Sequence, residues 1–267
     1  MNIFYKILFW GKNFLFPGVC VLCNRSLIGI SEIKYSLCRE CRLSANVIEG
    51  EKCRVCGKPL ISEEEICVPC RNIIEASENE NNSGTLNDAS RGMEKHAYDR
   101  LFVLFPYTGK FRRLLAAYKF KQILPLADFF CEKIIDCIKE NPFLQEAVIV
   151  PVPPRPGKIK HSGWDHVDYL VKRLKRLSAP GSLNKHTALA LTVSHCLKRK
   201  KSKIQKMLNR KDRMENLKSR IYVCSDVPQT VLLIDDVITT GSTMEVCAKA
   251  LKKAGAKNIY GLCLFYD

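Results

Sequence analysis

Acidic charge is what this 267-residue chain is shortest of: 27 Asp and Glu stand against 43 Lys and Arg, for a formal net charge of +16. The deficit is local, which excludes a basic surface made of evenly scattered lysines. Between Arg155 and Arg220 there are 19 Lys and Arg but 4 Asp and Glu, and that stretch carries +15 of the total. A concentrated basic face points to polyanions: nucleic acid, anionic lipid or phosphate-rich ligands. Long apolar runs are also missing. The opening MNIFYKILFWGKNFLFPG is broken by Lys6 and Lys12, which excludes a bilayer span, and no small-residue cleavage site follows, which excludes a secretory signal. The expected location is therefore the cytoplasm, with no transmembrane segment. In that reducing compartment the 14 cysteines favour metal ligation over disulfides. Ile3, Phe4, Ile7, Leu8, Phe14 and Leu15 can form one helical stripe, expected to dock on the protein's own core. A third absence lies in ENENNSGTLNDASRG, almost free of apolar residues, which reads as a flexible linker.

These absences divide the chain into an N-terminal amphipathic segment (1–18), a Cys-rich module (19–72), a polar linker (73–96) and a larger domain (97–267). In the last, strand-like and helix-like runs alternate. Leu101–Phe105, Val148–Val150, Val231–Ile234 and Ile259–Phe265 read as strands. Phe111–Phe120, Leu126–Lys139, Trp164–Leu177 and Ser242–Ala254 read as helices. Pro125 separates the first two helices, and Ser242 with Glu245 has the spacing of a capping box before the Gly255 stop. Alternation of this kind predicts an α/β fold: a mostly parallel sheet with helices on both faces.

The module before the linker holds four C-x-x-C pairs: Cys20/Cys23, Cys38/Cys41, Cys53/Cys56 and Cys67/Cys70. Each pair can place two thiolates on one metal, and two pairs complete a tetrahedral zinc site with no open position, hence a structural one. One such pair is ambiguous with redox chemistry; four within so small a segment predict two zinc ions whose binding supplies the folding energy. Sequential and cross-braced pairings both fit the spacing. Cys131, Cys137, Cys224, Cys247 and Cys263 sit in apolar patterns and read as core.

The most informative segment is VLLIDDVITTGSTMEV, Val231 to Val246. A buried strand delivers Asp235 and Asp236, and a loop of Thr239, Thr240, Gly241, Ser242 and Thr243 follows and enters a helix. Free N–H groups at a helix start, with hydroxyls beside them, suit a phosphate. The carboxylates suit sugar hydroxyls and a Mg²⁺ held through water or substrate. Ligands of open α/β sheets bind at the carboxyl ends of strands, where this loop lies.

This segment resembles the phosphoribosyl-pyrophosphate (PRPP) signature of type I phosphoribosyltransferases. With PYTGKFRRLLAAYKF (Pro106–Phe120), VIVPVPPRP (Val148–Pro156) and KIQKMLNRKDRMEN (Lys203–Asn216), nearly the whole chain resembles the ComF family, which joins Cys knuckles to such a domain and is linked to competence and DNA uptake. The resemblance implies a type I phosphoribosyltransferase-like sheet behind a double zinc ribbon. It places Asp235 and Asp236 at the ribose hydroxyls, Thr239–Thr243 at the 5′-phosphate, and Val152, Pro153, Pro154 and Arg155 near the pyrophosphate, with Mg²⁺ accompanying PRPP. Where the family carries Arg-Gly-Phe-Asn-Gln, this chain has Ser162-Gly163-Trp164-Asp165-His166, so that Arg is absent, with Lys160 and His161 just before the segment.

Lys198, Arg199, Lys200, Lys201, Lys203 and Lys206 form a dense basic run, continued by Arg210 and Arg213. They suit the phosphates of single-stranded DNA; by the resemblance they also lie where such enzymes place a mobile hood. Trp164 and Tyr169 are candidates for stacking on bases, weighed against core packing. His195-Cys196 invites a nucleophile reading, but nothing in the sequence supplies an orienting third group, and it is set aside. Two functions remain open. One is a ComF-like DNA-uptake protein that binds PRPP and contacts DNA, with the uptake machinery at the inner membrane face as partner. The other is an active phosphoribosyltransferase that joins PRPP to a nitrogen acceptor, with Asp235 and Asp236 as its catalytic carboxylates, and releases pyrophosphate.

Overall fold

The computed structural model describes residues 18–45, 53, 57, 60, 65–68, 70, 71, 96–157, 159, 163–180, 189–200 and 220–267. The segment 1–17 and most of the linker lie outside these residues. So do Cys56, Ser162, Lys201, Lys203, Lys206, Arg210 and Arg213.

Among the described residues, four parallel strands form the main sheet, in the order β1 (Arg100–Pro106), β6 (Asn258–Tyr266), β5 (Thr230–Ile238), β2 (Val148–Pro151). The central strands read as continuous apolar runs because both of their faces are covered. Val231 and Leu233 of β5 pack with α6 (Ser242–Lys253). Leu232 and Ile234, one residue out of step, pack with α3 (Gly109–Lys119), α4 (Leu126–Glu140) and α5 (His166–Ser178). Helices thus cover both faces, as the alternating pattern predicts. On the three-helix side Phe105, Phe129, Phe130, Phe265 and Tyr118 are fully buried, with Phe105 and Phe129 ring centroids 5.8 Å apart. Each ring withdrawn from water stabilises the fold by about 2–3 kcal/mol. A buried Asp128 accepts from Arg173 Nη2 at 2.8 Å and from its Nε, fastening α4 to α5.

A second sheet pairs two short antiparallel strands, β3 (Leu197–Arg199) and β4 (Ile221–Val223), and packs on α6. Neither strand is visible as a pattern in the basic run that surrounds β3. Two local expectations are corrected. The N-cap of α6 is Gly241, with φ of 71°, not Ser242, and Glu245 makes no capping box; its carboxylate is engaged elsewhere. Cys224, expected in the core, is exposed just past β4, whereas Cys131, Cys137, Cys247 and Cys263 are buried.

The first half of the Cys-rich module is packed onto this domain. It contains α1 (Ile30–Tyr35) and α2 (Arg39–Leu43), and its Leu22, Leu27, Tyr35 and Leu37 belong to the same buried cluster as α4. Lys110, near the start of α3, donates to the Ser44 carbonyl, and Arg42 lies 4.0 Å from Glu132.

Candidate functional site

The Cys20, Cys23, Cys38 and Cys41 sulfurs lie within 4.8 Å of one another, and so do those of Cys53, Cys67 and Cys70. Sequential pairs therefore come together, and the cross-braced alternative is not seen among the described residues. Cys23 and Cys38 sulfurs are 3.6 Å apart. That is far beyond a disulfide and close to the roughly 3.8 Å edge of a tetrahedron with 2.3 Å metal–sulfur bonds. Burial opposes ionisation of Cys20, but backbone hydrogen bonds from Cys38, Cys23 and Leu22 outweigh it and lower its pKa to about 7. Burial, and then the neighbouring sulfurs, push Cys41 up. Thiols gathered this closely resist ionising together; a divalent cation at their centre removes the conflict. The donor set fits structural zinc.

The second site is at the C-terminal end of β5. The strand does not stop at the two acids but runs through them to Ile238, and successive side chains of a strand face opposite ways. Asp235 continues the face of Val231 and Leu233. It lines a small cleft with Thr239, Thr240, Gly241, Ser242, Thr243 and Cys263. Asp236 continues the other face and is 8% exposed. There His166 Nε2 meets its Oδ2 at 2.7 Å, and Lys119 at the end of α3 pairs with the same oxygen. The buried Tyr118 hydroxyl donates to the His166 carbonyl at 2.6 Å and so seats that residue. Burial, and then the charge of Asp236, raise Asp235 well above the usual carboxylate range. Burial opposes ionisation of Asp236 too, but the His166 hydrogen bond and the Lys119 charge hold it well below that range. One carboxylate is thus neutralised by protein partners, and the other faces the cleft.

Around the cleft the loop turns sharply into the helix. Gly241 takes the left-handed conformation that turns the chain into α6, and Thr240 and Ser242 hydroxyls are 2.8 Å apart. Val152, just past β2, donates to the Ile234 carbonyl at 2.9 Å, which holds Val152 beside the strand just before the acids. Val152 and Pro153 are buried, Pro154 is half-buried and Arg155 is exposed. Along β3, Leu197 and Arg199 share the inward face while Lys198 points out. Burial lowers Arg199, the charges of Arg155 and Arg220 lower it further, and Asp235 opposes them. Arg155, Arg220 and Asp235 are thus all near enough to Arg199 to act on its charge. Lys198 is paired with Tyr222 on the outer face of the ribbon, and Lys200 Nζ lies 5.3 Å from the Tyr222 ring.

The stacking candidates Trp164 and Tyr169 pack on each other at 5.8 Å, and Trp164 also packs on Tyr118 and His166. His195 Nε2 meets Asp168 at 2.7 Å, while Cys196 is buried and its thiol is pushed up by that burial. Lys119, His166 and Arg220 were not legible as site residues. Lys119 and His166 lie 117 and 70 residues from Asp236, beyond any local pattern.

A double zinc ribbon domain model matches residues 12–71, which span all eight paired cysteines. A phosphoribosyl transferase domain model matches residues 227–267, which span β5, the loop, α6 and β6. The chain is 26% identical over 174 residues to Competence protein F of Haemophilus influenzae, covering 62% of this chain and 72% of that protein. It is 25% identical over 157 residues to Competence protein ComFC of Streptococcus pneumoniae, covering 58% of this chain and 63% of that protein. The chain is thus similar to two competence proteins, and the two domain matches fall on the two sites described above. Among the described residues no helix is long and apolar enough to cross a membrane.

Proposed function

We propose that this chain is a ComF-family, competence-associated protein that binds PRPP with Mg²⁺ in the β5 cleft and contacts single-stranded DNA with its basic face during DNA uptake. The observation that carries the reading is the cleft itself: a hydroxyl-lined loop at a helix start with one carboxylate beside it. PRPP presents the matching groups. Its 5′-phosphate suits the N–H groups and hydroxyls of Thr239–Thr243. Its ribose hydroxyls suit Asp235. Its pyrophosphate suits Arg155, Arg199 and Arg220, and Mg²⁺ would neutralise part of that charge. Asp236 acts from behind, because Lys119 and His166 already occupy it. In the ribbon module, Cys20, Cys23, Cys38 and Cys41 would hold one structural zinc, and Cys53, Cys56, Cys67 and Cys70 a second. The relatives' names support the competence role, and Lys198, Lys200 and Tyr222 on the outer ribbon face support the DNA contact.

The test is calorimetric titration of Mg²⁺-PRPP. Thr240→Ala removes about one hydrogen bond to a charged group and should weaken binding by roughly 1.5–3 kcal/mol. Gly241→Val should cost more, because a β-branched residue is strained at φ of 71°. If wild type binds no PRPP, or Gly241→Val binds as well as wild type, the reading fails. Pyrophosphate release in the presence of nitrogen bases would turn it into an active transferase. There a nitrogen lone pair forms the bond to C1 as the C1–oxygen pair departs with pyrophosphate.

A further inference from the structure

The helix that carries the loop is held from outside. Glu245, in the first turn of α6 and 8% exposed, does not cap its own helix. Its carboxylate accepts the Ala97 N–H through Oε1 at 3.1 Å and Oε2 at 3.2 Å, and meets His96 Nδ1 at 3.2 Å. The other nitrogen of that ring, Nε2, lies 4.0 Å from Cys70 Sγ in the second cysteine cluster. The His96 ring stacks on Tyr98 at 4.8 Å. Tyr98 is buried, and its hydroxyl is 3.9 Å from the point where a Cβ on Gly241 would stand. Residues 96–98 therefore run as a strap from the second cluster to both ends of the turn that begins α6.

The second cluster has its own seat. Gly57, with φ of 68°, lies so close to β1 that a Cβ there would stand 2.7 Å from the Leu101 carbonyl. The cluster thus rests on the sheet edge while the strap reaches across to α6. We infer that metal binding at the second cysteine cluster positions the phosphate loop, through His96 and Glu245. Drawing Cys53, Cys67 and Cys70 together fixes Cys70, which fixes the His96 ring and with it the Glu245 carboxylate. Without that fixed point the strap and the first turn of α6 gain freedom together. As a statement about loop order this stands alone; as a statement about PRPP affinity it rests on the reading above.

The experiment is hydrogen–deuterium exchange of the amides of residues 239–246 in the full-length protein, with zinc content measured in parallel. Cys67→Ser should speed exchange there about 5-fold or more, with β5 and β6 unchanged. His96→Phe keeps a ring against Tyr98 and leaves every cysteine of the cluster in the sequence. It should retain its zinc yet show the same acceleration, and adding Cys67→Ser to it should add nothing. Unchanged loop exchange in His96→Phe overturns the inference, even if Cys67→Ser fails to fold. So do effects that add in the double variant. A Mg²⁺-PRPP titration of the same proteins keeps the two readings apart. Wild type that binds no PRPP but shows the exchange pattern sinks the PRPP site and leaves the strap standing.

Discussion

At the scale of single residues, the two adjacent aspartates divide the work because a strand turns them to opposite faces. Asp235 has its pKa raised by burial and by its neighbour, so the folded state holds that proton more tightly than the unfolded chain does. As pH rises from the ordinary carboxylate range through the raised value, the native state loses stability, and above that window the loss is constant. Asp235→Asn removes the titration. Its stability relative to wild type should climb with pH across the window and then level off in urea unfolding; parallel curves would contradict this. Asp236 is the opposite case: its lowered pKa adds stability that is present above the ordinary carboxylate range and is lost as pH falls through the lowered value. Lys119→Met leaves a buried carboxylate short of one partner and should cost on the order of 3 kcal/mol at neutral pH. Lys119→Arg, which keeps the charge, should recover most of it. Equal losses in the two variants would assign the effect to packing.

At the scale of elements, the β3–β4 ribbon splits the basic run between two tasks. Arg199 lies inward, toward Asp235, while Lys198 and Lys200 lie outward with Tyr222. Replacing Lys198 and Lys200 by Gln should lower the salt slope of single-stranded DNA binding by about 1.4, at roughly 0.7 per phosphate contact, and leave PRPP binding unchanged. Arg199→Gln should do the reverse. A slope that ignores Lys198 and Lys200, or follows Arg199, would argue against this division. Such a split could not be read from composition, because three-residue strands are too short to show alternation. The longer elements were legible: β1, β5 and β6 announce themselves as apolar runs, and α3 to α6 by their helical spacing. The loop from Thr239 to Thr243 was legible as a hydroxyl-rich turn between a buried strand and a helix. The surroundings of Asp236 were not, because Lys119 and His166 arrive from distant helices. The Ser242/Glu245 spacing misled for a related reason. Gly241 at positive φ takes the cap, and Glu245 turns to a strap nearly 150 residues away.

At the scale of the whole molecule, the cysteine module is not a bead on a polar string. Leu22, Leu27, Tyr35 and Leu37 share one core with α4, so loss of metal at the first cluster should be felt in the sheet domain. Cys38→Ser should lower the melting temperature of the entire protein, with one shared transition by far-UV dichroism and tyrosine fluorescence. An untouched sheet-domain transition would show that the packing carries little energy. The strand order has another consequence. Strand β6 follows β1, β2 and β5 in the chain yet lies between β1 and β5. During synthesis from the N-terminus, the three earlier strands emerge with their central partner still missing, and among the described residues β1 has no other strand to pair with. The ribosome must release the chain through Tyr266 before the sheet can close. In that interval exposed strand edges invite aggregation, so the fold of this protein is one that a growing chain reaches late and all at once.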